Sequence, residues 1–237
     1  MIPLRDTVRA YRFPVVNWLI IGLNVLIFSY EFILGPGALV RFVDAWGMVP
    51  ARLELLQPLT WIPLLTSIFL HSGWFHLLSN LWTLYIFGDN IEDRLGSGRY
   101  LLFYLLGGIT AGVLQAALMP QSIIPTIGAS GAIAAVLGAY FFLYPTAKVV
   151  TFIPLFFLPW LMEIPALVYL GFWFISQLFS GLASLAVTDA ANMGGIAWWA
   201  HIGGFVFGLL LVRLFAPRRR QPDIYRYPGS YPGDFLP

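Results

Sequence analysis

Six continuously apolar runs, at about residues 15–34, 73–93, 100–119, 130–144, 164–184 and 196–215, constrain this chain more than any other feature. They do not alternate polar and apolar positions, so membrane β-strands are excluded. Most come close to the ~20 residues that a helix needs to cross the hydrocarbon core. Hydrophobic residues make up 59% of the chain and charged ones only 10%, against about 25% charged in soluble domains. Such a composition cannot build a wettable globular surface. The expected fold class is all-α: a polytopic membrane protein with a six-transmembrane-helix bundle. The bundle occupies residues 15–215, between a cytoplasmic N-terminus (1–14) and a disordered cytoplasmic tail (216–237).

Orientation follows from the basic residues. With six alternating spans, Arg5, Arg9, Arg12, Arg94, Arg99, Lys148, Arg213, Arg218, Arg219, Arg220 and Arg226 share one side, and only Arg41 and Arg52 fall on the other. Lys and Arg mark the cytoplasmic side, so both termini are expected there, with the cytoplasmic membrane as the expected location. The first apolar run is too long for a signal peptide and lacks a small-residue cleavage site, so it reads as a retained helix. Arg218, Arg219 and Arg220 suit anionic membrane lipids. No basic or aromatic groove accompanies them, and no nucleic-acid partner is expected. The chain has no cysteine, which removes disulfides and thiolate chemistry.

Between the first two runs, residues 35–70 are interrupted by Pro36, Pro50, Pro58 and Pro63 and cannot span. The stretch 39–46 mixes apolar and charged residues as an interfacial helix does, and Trp46, Trp61 and Trp74 fit an outer aromatic belt. Residues 217–237, rich in Pro, Tyr, Gly and Arg, cannot pack a core. There is no internal repeat of the kind that inverted-repeat transporters carry.

Polar residues inside the apolar runs mark the chemistry, because each is costly there. Ser130 opens the fourth run, only about 21 Å of helix above its cytoplasmic end at Tyr144. A helix that short starts below the outer surface, and its N-terminus presents unpaired N–H groups and partial positive charge. His201 lies a similar ~21 Å above Phe215, at the same depth. Gly203, Gly204 and Gly208 permit the two backbones to approach closely. A serine beside a histidine is the minimum for nucleophilic catalysis. His76 and Asn80, four apart on one face of the second run, are donors suited to a developing oxyanion.

Each signal has a plainer explanation when taken singly. Small residues in membrane helices mostly serve packing, and an intramembrane histidine can be a structural hydrogen-bonding group. Their coincidence at one depth argues for a site. No metal or other cofactor is expected, because neither a His-Glu-x-x-His run nor an intramembrane aspartate pair occurs. His71 has no equally clear role. Glu31 and Glu163 do not complete a triad, since Glu163 should lie near the cytoplasmic face, and Asp189 falls in the loop before the last helix.

Four stretches carry a resemblance. They are His71 to Asn80 (HSGWFHLLSN), Gly88 to Gly96 (GDNIEDRLG), Gly128 to Gly131 (GASG), and Ala200 to Gly204 (AHIGG) continuing to Gly208. Together and in this order they resemble the rhomboid family of intramembrane serine proteases, over roughly residues 15–215. The resemblance implies Ser130 as nucleophile, His201 as general base, and His76, Asn80 and the Ser130 N–H as oxyanion hole. It implies single-pass transmembrane proteins as substrates, with access between the second and fifth spans, where Ser79 and Trp173 come out at similar depth. Glu92 and Arg94 match a structural motif at the turn between the second and third spans.

The chain departs from the family pattern at two places. Trp61 is followed by Ile62 where many members have arginine. Ala134 stands where some members place an aromatic against the imidazole, leaving Trp198 or Trp199 as candidates to brace His201. Two other functions are open: a non-proteolytic relative that binds or dislocates membrane proteins, and a small-solute transporter using His76, Asn80 and His201 as a polar path. Oligomeric state leaves no signal in the sequence.

Overall fold

The structure, a computed structural model, describes residues 1–155, 158–186 and 196–217. The tail from 218 onward and Asp189 lie outside the described residues. The helices follow in the order α1 (Val15–Ile33), α2 (Pro36–Trp46), α3 (Pro63–Thr66), α4 (Trp74–Leu95), α5 (Ser97–Leu118), α6 (Ser130–Leu143), α7 (Ala166–Ala186) and α8 (Trp198–Phe215). The six apolar runs become α1 and α4 to α8, a helical membrane bundle. By length and composition α1, α5, α7 and α8 can each cross a membrane. α4 has the length, but its last turns carry Asp89, Glu92, Asp93 and Arg94. α6 has only 14 residues.

α6 is the centre of the bundle, buried at every position from Gly131 to Tyr140. Small side chains make that possible: Ala132, Ala134, Ala135 and Ala139 are fully enclosed. Against α8 the backbones nearly touch. A Cβ at Gly204 would collide with the Gly131 carbonyl, one at Gly208 with the Ala135 carbonyl, and one at Gly138 with the Phe205 carbonyl. Without a hydrophobic drive between helices in lipid, such close packing is a principal source of association. It also holds His201 to Ser130 at fixed distance, because each sits at the outer end of this contact.

The end of the bundle away from Ser130, expected to be the inner one, is tied by a polar knot. The buried Glu92 carboxylate accepts the Val16 N–H (3.0 Å), the Asn17 N–H (2.7 Å) and the Ser97 hydroxyl (2.6 Å). It thereby caps the first turn of α1, whose N–H groups have no partner within the helix. The Asn17 side chain donates to the Leu84 carbonyl (3.1 Å) and accepts from the Tyr100 hydroxyl (2.7 Å). These bonds join α1, α4 and α5.

One element was not expected from the apolar pattern. β1 (Ile2–Asp6), β2 (Lys148–Leu155) and β3 (Leu158–Pro165) form an antiparallel sheet in the order β1-β2-β3, with Ile2 opposite Phe152 and Val150 opposite Glu163. Val149, Val150, Thr151 and Ile153 are β-branched and favour extended backbone. The Trp82 indole donates to the Pro3 carbonyl (2.6 Å), and Asp6 accepts from the Asn90 amide (2.8 Å) and the Tyr140 hydroxyl. Trp82 and Asn90 are about 12 Å apart along α4, and Pro3 to Asp6 spans about 10 Å of strand. The strand therefore climbs beside the inner half of α4. β3 runs directly into α7, so the sheet links the inner half of α4 to the start of α7. Residues of the arm expected on the cytoplasmic side thus pack into the bundle, while the Tyr11 and Arg12 N–H groups reach Asp93 at its base.

Candidate active site

Ser130 is placed by the loop that precedes it. The Gly128 N–H bonds the Ser67 carbonyl (2.9 Å), and Met48 pairs with Thr126. Gly128 has φ +123°, and a Cβ there would come within 2.6 Å of His76 Nε2. Only glycine tolerates both the backbone conformation and the contact. The chain then turns directly into α6, with Ser130 as its first residue.

His201 lies in the first turn of α8. The Gln115 side chain, from α5, accepts the Ala200 N–H (3.2 Å) and so fixes that helix end. The imidazole bridges two partners: Nε2 is 2.8 Å from Ser130 Oγ, and Nδ1 is 2.8 Å from Gln177 Oε1. The identity of the Gln177 atoms follows from their other neighbours. Its amide nitrogen donates to Ser176 Oγ (3.0 Å) and to the Trp173 carbonyl (3.4 Å), which can only accept. The oxygen therefore faces His201, Nδ1 carries the proton, and the Nε2 lone pair is directed at the serine hydroxyl. A general base for serine needs that tautomer.

Asn80 and His76 flank the approach to Ser130. Asn80 is buried, and its Nδ2 donates to no acceptor among the described residues. His76 Nδ1 lies 3.0 Å from Ser72 Oγ and 3.4 Å from the Ser72 N–H. A backbone N–H can only donate, so Nδ1 accepts and the proton sits on Nε2, on the side facing Gly128. Two donors thus converge on the loop that ends in Ser130. Ser130, His201, His76, Asn80, Ser79 and Trp173 all line one cavity of about 450 Å³.

His71 lies behind His76, with ring centroids 5.1 Å apart. Burial, with His76 adding to it, pushes the His71 imidazole down to about 4, so it is neutral at physiological pH. Its backbone N–H is held by the buried Glu31 carboxylate (3.2 Å). Glu31 therefore positions the turn that leads into α4. Glu163 pairs with Lys148 on the exposed sheet (2.8 Å), beyond the opposite end of α6 from Ser130. Around His201, Trp198 stands edge-on at 6.2 Å and Trp173 lies tilted at 6.0 Å, while Trp199 packs over Gly181. Trp173, Gln177, Gln115 and Glu31 carry no catalytic signature in sequence. A helical projection of α7 could have found the first two, four residues apart on one face.

The chain also has counterparts among known proteins. The Rhomboid domain family model matches residues 58–218, more than half of the chain. The chain belongs to the rhomboid family. Among curated rhomboids, the rhomboid protease GluP of Bacillus subtilis is 37% identical over 126 residues, covering 53% of this chain and 24% of the relative. The mitochondrial rhomboid protein 1 of Saccharomyces cerevisiae is 29% identical over 63% of this chain and 40% of its own length. The RHOMBOID-like protein 4 of Arabidopsis thaliana is 30% identical over 86% of this chain and 46% of its own length. The chain thus spans less than half of each of these rhomboids.

Proposed function

We propose that the chain is an intramembrane serine endopeptidase that cleaves transmembrane segments of single-pass membrane proteins, using Ser130 and His201 as a dyad. The observation that carries this reading is the 2.8 Å contact between Ser130 Oγ and His201 Nε2 at the wall of a cavity that also holds two free donors. Ser130 Oγ attacks the scissile carbonyl as its proton passes to His201 Nε2. The tetrahedral oxyanion receives hydrogen bonds from the Ser130 N–H, His76 Nε2–H and Asn80 Nδ2–H, donors aimed where charge develops. His201 then gives the proton to the leaving amine, and water hydrolyses the acyl-enzyme by the same steps in reverse.

The reading places the protein in the cytoplasmic membrane with both termini inside. A substrate helix enters between α4 and α7. The sheet links the inner half of α4 to the start of α7, so entry falls in the outer half, where Ser79 and Trp173 line the cavity. The chain has no cysteine, so Ser79→Cys with Trp173→Cys gives a clean crosslink. Closing it should block a membrane-embedded substrate, and reduction should restore cleavage. Unchanged cleavage by the fully crosslinked protein would put the entrance elsewhere.

The deciding experiment is cleavage of a single-pass substrate by the purified chain in liposomes. Activity lost on Ser130→Ala supports the dyad. Wild-type protein that binds the substrate without cutting it points to the binding or dislocation function, and solute flux without cutting points to the transporter.

A further inference from the structure

We infer that Gln177 is a positioning residue for the catalytic imidazole: a neutral third member that holds His201 in the tautomer able to accept the serine proton. The inference rests on the dyad proposed above. Gln177 is buried in the middle of α7, where an unpaired amide would be costly. Its three polar contacts are all used: Oε1 on His201 Nδ1 at 2.8 Å, and Nε2 on Ser176 Oγ and the Trp173 carbonyl. The amide is thus locked with its oxygen toward the imidazole. It cannot rotate to offer a donor without placing N–H groups against Nδ1 and its oxygen against a carbonyl.

A neutral imidazole carries its proton on either nitrogen. If the proton sits on Nε2, the ring cannot take the serine proton, and wrong-tautomer serine proteases lose up to ~10⁴ in rate. Ser130 alone does not choose between the tautomers, because a hydroxyl can donate or accept. Gln177 Oε1 can only accept, so it makes the choice. The site Ala134 leaves without an aromatic is compensated here by a hydrogen bond from α7. The amide carries no charge. It orients the base without adding a carboxylate's stabilisation of the imidazolium, so the site differs in kind from a Ser-His-Asp triad.

The test uses the purified full chain in detergent, with Gln177→Leu and the isosteric Gln177→Glu. Both are compared with wild type for kcat and KM on a transmembrane substrate, and for fluorophosphonate labelling rate across pH 5–9. Gln177→Leu should lower kcat on the order of 10–100-fold, part of what a positioned general base supplies, with KM within about twofold. Gln177→Glu keeps an acceptor at the same place and adds charge. It should retain activity and move the acid limb of its pH–rate profile to higher pH, by about one pH unit or more. A purely structural glutamine would not move that limb. Wild-type labelling rates in Gln177→Leu, or an unmoved acid limb in folded Gln177→Glu, overturns the inference. Failure of the wild type itself to label at Ser130 sinks the dyad instead, and the two failures are distinct.

Discussion

The knot around Glu92 and Asn17 and the cavity beside Ser130 treat buried polar groups in opposite ways. At the inner end, Glu92 accepts three donors, and Asn17 uses both its oxygen and its nitrogen. At the outer end Asn80 Nδ2 and both ring nitrogens of His71 have no partner among the described residues. Unpaired buried groups are costly and rare in folded proteins. The paired knot ties helices together; Asn80 lines the cavity, and His71 lies behind it against His76. Polarity within a span thus has two uses. Saturation alone does not separate the two, since Asn90 Oδ1 beside the knot, Asn24 Oδ1 and the Tyr104 hydroxyl also have no partner among the described residues.

Substitutions at the two ends should therefore have different readouts. The largest effect belongs to the proposed dyad. Ser130→Ala and His201→Ala should each remove cleavage, and the double variant should be no worse, because members of such a unit do not contribute additively. Thermal stability should barely change. Additive losses would separate the two residues into independent roles. Asn80→Ala comes next, with a kcat loss on the order of 10²–10³ for one oxyanion donor and little change in KM. A KM effect alone would make Asn80 a binding residue.

The inner end should respond in stability only. Glu92→Leu strands the first-turn N–H groups of α1, at a cost of about 1–3 kcal/mol per unsatisfied group. Melting temperature should fall while activity per folded molecule is kept; loss of specific activity would erase the contrast between the ends. His71 offers a finer test. Its imidazole is neutral in the fold, pushed from 6.5 to about 4 by burial beside His76. The unfolded chain binds more protons in that window, so stability should fall as pH drops from about 6.5 toward 4. His71→Gln should flatten this dependence. Smallest of all, Glu163→Gln breaks an exposed ion pair with Lys148 and should change nothing measurable.

How much of this was legible in the sequence depended on the kind of signal. Apolar runs of span length give the helices directly, because a bilayer demands them. The common depth of Ser130 and His201 follows from counting helical rise, and the glycines at 204 and 208 mark where the two backbones meet. Gln177 was not legible, since a glutamine in an apolar run reads the same whether it binds a histidine or a neighbouring carbonyl. Glu31 and Gln115 act through backbone N–H groups, which leave no trace in side-chain spacing. The sheet was hidden for another reason. Residues 149–162 are apolar except for Thr151, so neither helical nor alternating periodicity shows, and β1 pairs with a strand more than 140 residues away. Such pairing is set by the packed bundle rather than by local sequence.

The most direct measurement of the account's central claim is mass mapping of the fluorophosphonate adduct on the wild-type chain and on His201→Ala. The account predicts a single adduct on Ser130 in the wild type, formed far more slowly in the variant because the hydroxyl has lost its base. An adduct on another serine, or a Ser130 adduct formed equally fast without His201, would contradict it.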